Sequence, residues 1–172
     1  MLRPLYTRKA TNILLVGTPS SGKRTLAKQL LQSSQVYLST YTLEEITIQE
    51  LNTIKDIDYV LLLVDFTNPF STKLLETYLS HMTNDFLLTR CSIVFTKVDQ
   101  KHLWMINDDR IYEVIQQFGN ITTFYVNLSN QVSRKKTTEQ IIRLICINTS
   151  QQRHISPFTS QFLSHSLPYM NK

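Results

Sequence analysis

Seven residues near the start of the chain, Gly17-Thr18-Pro19-Ser20-Ser21-Gly22-Lys23, have the types and spacing that hold phosphate. They include two of the chain's three glycines and directly follow the apolar run Ile13-Leu14-Leu15-Val16. A glycine-framed turn lets backbone N–H groups approach phosphate oxygens closely. The helix after it offers unpaired amides, and the lysine neutralises charge. A complete loop of this kind carries Ser or Thr after the lysine, where the hydroxyl ligates magnesium. Arg24 occupies that position, and Thr25 comes one residue late, turned by about 100° on a helix. The loop suits phosphate while its metal seat is spoiled.

A second set of residues with chemical meaning is Thr96-Lys97-Val98-Asp99, after the apolar run Ile93-Val94-Phe95. In small Ras-like GTPases a [N/T]KxD tetrad stands at this place. Its lysine stem packs on the base, and its aspartate accepts from guanine N1–H and N2–H₂. Alone the tetrad is weak; in this order, after a phosphate loop, it resembles a GTPase inheritance. Asn127-Leu128-Ser129 is a weaker echo of the small-residue loop that covers the base in such proteins. The parts that drive hydrolysis are missing. The stretch from Lys23 to Tyr59 is too short for a switch loop, two strands and a γ-phosphate-sensing turn, and no Asp-x-x-Gly occurs anywhere. Asp65-Phe66-Thr67-Asn68 reads as the end of a strand rather than a relic of that turn. Phosphoryl transfer depends on positioning and on charge neutralisation at the metal, so little hydrolysis is expected.

The elements that must position these residues are legible as short apolar runs between amphipathic segments. Strands are predicted at Asn12 to Val16, Val36 to Thr42, Tyr59 to Asp65, Ser92 to Thr96 and Thr122 to Asn127. Helical spacing places Leu26, Ala27, Leu30 and Leu31 on one face of 23–32, and Leu74, Leu75, Tyr78, Leu79 and Met82 on one face of 71–82. It places Ile111, Tyr112, Val114, Ile115 and Phe118 together on 108–118, with Asp108 or Asp109 as N-cap. A last helix is expected over 138–147, with short helices near 49–54 and 158–163 and a frayed tail over 167–172. The class is a three-layer α/β domain over 1–166, with a mostly parallel sheet of about five strands.

Composition narrows the function. With 42% hydrophobic and 18% charged residues the chain reads as soluble and globular. Its longest apolar runs, such as Val60 to Val64, fall far short of the ~20 residues that span a bilayer. No secretory leader, myristoylation site or prenylation cysteine is expected. Cys91 and Cys146 lie in apolar runs and read as buried free thiols in a reducing compartment. The four histidines are scattered, without zinc-ligand spacing, so no metal site is expected. The net charge of +5 can serve an acidic partner or nucleic acid. Its densest cluster, Arg134-Lys135-Lys136, reads as a solvated face ahead of a helix, and no direct DNA contact is inferred. Trp104 is expected to pack on its own domain, with a partner anchor as the lesser reading.

Several blocks carry a family resemblance. Leu2-Arg3-Pro4-Leu5 with Ala10 through Thr18, Tyr59 through Val64, and Asn84 through Phe95 are similar to the centromere protein M family. So are Ile141 to Cys146 and, in order after them, His154, Phe162-Leu163 and Ser166. That resemblance implies a small-GTPase-like (P-loop) fold without switch machinery, and a place in the constitutive inner kinetochore of the nucleus. It implies centromere proteins I, H and K as partners, and supplies no catalytic residue. The expectation is a non-catalytic pseudo-GTPase scaffold, a monomeric subunit of a hetero-complex, without membrane or cofactor. Its apolar partner patch is sought over 36–57 and 101–107. The alternative is an atypical switch binding GTP or GDP through Gly17, Gly22, Lys23, Thr25, Thr96, Lys97 and Asp99. A P-loop kinase is disfavoured, because TKxD has no role there and no arginine-rich lid is present.

Overall fold

A computed structural model of the chain describes residues 10–33, 38–43 and 57–149. The elements, in order, are β1 (Thr11–Gly17), α1 (Lys23–Ser33), β2 (Leu38–Leu43), β3 (Tyr59–Asp65), α2 (Phe70–His81) and α3 (Asn84–Arg90). They continue through β4 (Cys91–Thr96), a 3₁₀ turn (Lys101–Leu103), α4 (Asp108–Gln117), β5 (Thr122–Val126) and α5 (Gln131–Asn148). The sheet order is β2-β1-β3-β4-β5. Every pairing is parallel.

The centre of the sheet is buried on both sides because β1, β3 and β4 are largely apolar, and side chains of the sheet alternate between two cores. Ile13, Leu15, Leu61, Leu63, Phe124 and Val126 point to one core, shared with Leu26, Ala27 and Leu30 of α1 and Ile141, Leu144 and Ile145 of α5. Leu14, Val16, Val60, Leu62, Val64, Ile93 and Phe95 point to the other, with Leu75 and Leu79 of α2, Leu87 of α3, and Ile111 and Val114 of α4. Chirality explains the division. A right-handed crossover from β1 to β2 puts α1 on one face, while the opposite march from β3 to β5 puts α2 and α4 on the other. The result is the three-layer α/β architecture expected of a small-GTPase-like fold.

Several local expectations are corrected. Neither Asp108 nor Asp109 caps α4; Asn107 does, its side chain accepting from the Asp109 N–H at 3.0 Å. Helix α3 was not foreseen, because it is only seven residues long and runs directly into β4. The last helix starts at Gln131 rather than 138, since the Asn130 side chain accepts from the N–H groups of Val132 and Ser133 at 2.9 and 3.0 Å. Arg134, Lys135 and Lys136 therefore lie inside a helix, not ahead of one. Leu31 and Tyr112, expected on buried faces, are exposed, and the Tyr112 hydroxyl bonds that of Tyr125. Cys91 and Cys146 are buried free thiols, as expected. The helices expected at 49–54 and 158–163 and the tail at 167–172 lie outside the described residues.

Candidate functional site

The candidate site lies at the carboxyl end of the sheet, where the ends of β1, β3, β4 and β5 meet, the usual ligand position in open parallel sheets. Gly17 ends β1 against β3 so closely that a Cβ there would stand 2.7 Å from the Leu63 carbonyl oxygen. Past the turn, Ser20 and Gly22 take the left-handed conformation, with φ of 60° and 92°. The loop closes through Ser21 N–H to the Thr18 carbonyl at 3.2 Å, and α1 begins with Leu26 N–H on the Gly22 carbonyl at 3.0 Å. A phosphate-type loop thus forms where the sequence puts it.

Its side chains are bonded within the loop and to α2. Lys23 is buried, and its ammonium donates to the carbonyls of Gly17 and Thr18 at 2.8 and 2.7 Å. The charge closes the loop upon itself. Arg24 and Thr25 are exposed, with Thr25 on the wall of a groove beside the loop. The Thr18 hydroxyl bonds that of Ser71 at 3.0 Å, and Ser71 in turn accepts the Asp65 N–H at 3.2 Å. This ties the loop to the first turn of α2.

The tetrad after β4 is also committed to the fold. Thr96 is buried and donates to the Val64 carbonyl at 3.3 Å. Lys97 adopts a φ of 57°, and its ammonium lies 2.6 Å from the Asp65 carboxylate and 3.1 Å from the Thr67 hydroxyl. Asp65 is almost wholly buried, and its second oxygen accepts the Thr67 N–H and hydroxyl at 2.9 and 2.8 Å. The backbone of Lys97 takes the Trp104 indole N–H at 3.2 Å, and the Trp104 ring stacks on Phe66 with centroids 4.3 Å apart. Trp104 thus packs on its own domain, as expected. Asp99 alone of the tetrad is exposed, on the groove wall.

The third segment reaches the same place. Asn127 accepts the N–H groups of Ser129 and Asn130 at 2.9 and 3.1 Å, forming the turn before α5. That turn projects Leu128 onto Gly22, so that a Cβ on the glycine would run into the leucine's Cδ1 methyl. Arg134 fastens it by donating to the Leu128 carbonyl at 2.7 Å. Ser20, Ser21, Gly22, Thr25, Thr96, Lys97, Asp99, Gln100, Asn127, Leu128 and Ser129 line a groove of about 190 Å³. Drug-sized and nucleotide ligands occupy sites of about 300–1,000 Å³.

Of the predicted site residues, Gly22, Thr25, Thr96, Lys97 and Asp99 converge on this groove; Gly17 and Lys23 lie behind it in the loop's own bonding. Asp65, set aside in the sequence as a strand end, is the residue that sequence reasoning undervalued. The signal was topological: in the parallel β3–β4 register Asp65 is level with Thr96, one residue from Lys97.

On the other side of the loop the surface exposes large apolar side chains beside charged ones. Pro19, Phe70 and Leu74 help line a groove of about 440 Å³, and Pro69, Met105 and Ile106 a second of about 430 Å³. Phe70 and Met105 are 71% and 69% exposed, large values for such side chains. Among the described residues no helix is long and apolar enough to cross a membrane.

No curated protein is significantly similar to the chain. A family model described as centromere protein M (CENP-M) matches residues 2–167, nearly the whole sequence. The extent of that match, over the α/β fold and the loop geometry described above, places the chain in the centromere protein M family, whose members are centromere and kinetochore proteins.

Proposed function

We propose that the chain is a non-catalytic pseudo-GTPase, a nuclear scaffold subunit of the constitutive inner kinetochore that helps hold centromere proteins I, H and K together. The observation that carries the pseudo-GTPase reading is Lys23, whose ammonium bonds the carbonyls of Gly17 and Thr18. Two of the three N–H donors of that ammonium are taken by the loop's own carbonyls. Three further features support the same reading. Arg24 stands in the magnesium position, Leu128 lies on Gly22, and Lys97 balances the buried Asp65 instead of lying free for a base. Charge and positioning at a metal are what phosphoryl transfer requires. The scaffold role draws support from the large exposed side chains Phe70 and Met105 beside two neighbouring grooves, since exposed apolar surface can mark protein interaction sites.

The deciding experiment is purification of the tagged protein from dividing cells, paired with calorimetry on the pure chain. Centromere proteins I, H and K are expected to co-purify, and GDP or GTP with magnesium is expected to give no saturable heat. Absence of those proteins overturns the scaffold reading. Micromolar, magnesium-dependent nucleotide binding that disappears in Lys23→Ala and Asp99→Ala overturns the pseudo-GTPase reading and leaves the atypical switch.

A further inference from the structure

The two helical layers differ in charge. On α1 and α5 the residues Arg24, Lys28, Lys135, Lys136 and Arg143 are all exposed, and Glu139 is the single acidic residue of the two helices. On the opposite face α2, α3 and α4 together carry five acidic and three basic residues. Among the described residues, none of the five cations on the α1–α5 layer is ion-paired.

Helix ends place further positive charge on this layer. Both α1 and α5 start at the carboxyl end of the sheet, so their positive dipole ends lie on the same side. Neither has an acidic residue in its first turn, a property shared with α2, while α3 has Asp85 and α4 begins Asp108-Asp109. Arg134 bridges the two helices by donating to Gln29 at 3.0 Å, which makes one continuous basic surface of them.

We propose that the outer surface of the α1–α5 layer binds the phosphate backbone of duplex DNA without reading its sequence. The chemistry of the surface selects this occupant. It is rich in lysine, which protein–protein interfaces deplete, and its exposed large apolar side chains are Leu31 and Val132 only, among the described residues. Neither helix contains an aromatic residue, so the stacking platforms that hold single strands are missing. Exposed cations without base-reading partners describe positioning contacts to phosphate. The chain belongs to a centromere protein family, and centromeres are built on DNA.

The test is fluorescence anisotropy of two unrelated 30-base-pair duplexes titrated with the full chain at 50 and 200 mM salt. Both duplexes should bind alike, and five phosphate contacts should lower affinity by about 500-fold between the two salts. The triple variant Lys28→Glu, Lys135→Glu, Lys136→Glu, with an unchanged thermal melt, should lose at least about tenfold at 50 mM salt and show a shallower salt slope. Lys73→Glu with Arg110→Glu, on the other face, should bind as the parent does. No binding at 50 mM salt overturns the proposal, as does a triple variant that binds like the parent. Tighter binding of poly-glutamate than of duplex also overturns it, assigning the layer to an acidic protein.

Discussion

Lys97 shows how a side chain spelled into a nucleotide-type motif can also hold the fold together. Asp65 is buried at the end of β3 and has Lys97 as its counter-charge. Removing one partner of a buried pair leaves an uncompensated charge, at a cost of about 3–5 kcal/mol when both are fully enclosed. Lys97 is partly exposed, so water compensates in part and the expected loss is about 2–3 kcal/mol. Urea unfolding of Lys97→Ala should show this loss, and Asp65→Asn in the same chain should recover part of it. A lysine kept only for a ligand would leave unfolding unchanged. Asp99, two residues on, is exposed and free of this duty, so its replacement by Ala should barely move the midpoint.

Among the elements, the strands were the most readable. The three central ones, β1, β3 and β4, are built on apolar runs, and a run of that length buried on two sides admits few other readings. Helix limits were harder to read, for identifiable reasons. The stretch of α5 from Gln131 to Lys136 contains one apolar residue, exposed Val132, and the first buried positions of the helix are Thr137 and Thr138. Thr138 reaches the interior because its hydroxyl donates to the Arg134 carbonyl at 2.7 Å, which no hydrophobic pattern reveals. The start of α5 depends instead on Asn130. Its replacement by Ala should destabilise the protein by about 1 kcal/mol and lower the melting temperature by a few degrees, measured by circular dichroism. The candidate site was half legible. Its three segments could be named from their types, but that Lys23 turns inward and Leu128 covers Gly22 depends on contacts between distant segments.

At the scale of the whole molecule, both faces of the sheet bury a titratable group, Tyr59 on one and Cys91 on the other. Beneath the β3–β4 pair the Tyr59 hydroxyl bonds Ser92 at 2.7 Å, next to the Cys91 thiol's own strand. Burial pushes Cys91 up to about 12 and the Tyr59 phenol above its ordinary range. The unfolded chain releases these protons near pH 9 and 10 respectively, while the folded chain keeps them. Above pH 9 the unfolded state therefore binds fewer protons, and stability falls as pH rises; below pH 9 neither group contributes a slope. Urea unfolding between pH 7 and 10.5 should be flat and then decline. Cys91→Ala should make the decline shallower by up to about 1.4 kcal/mol per pH unit.

The sheet order also governs how the chain comes into being. β1 lies between β2 and β3, with Thr11 level with Leu38 and Ile13 level with Tyr59, so both its neighbours leave the ribosome after it does. The most apolar early segment must wait, unpaired, until distant residues are synthesised, and parallel pairings of this kind form slowly. During that wait its open edges invite strands from other nascent chains. Translation pace and chaperone capture between β1 and β3 should therefore govern how much of this protein reaches its native form.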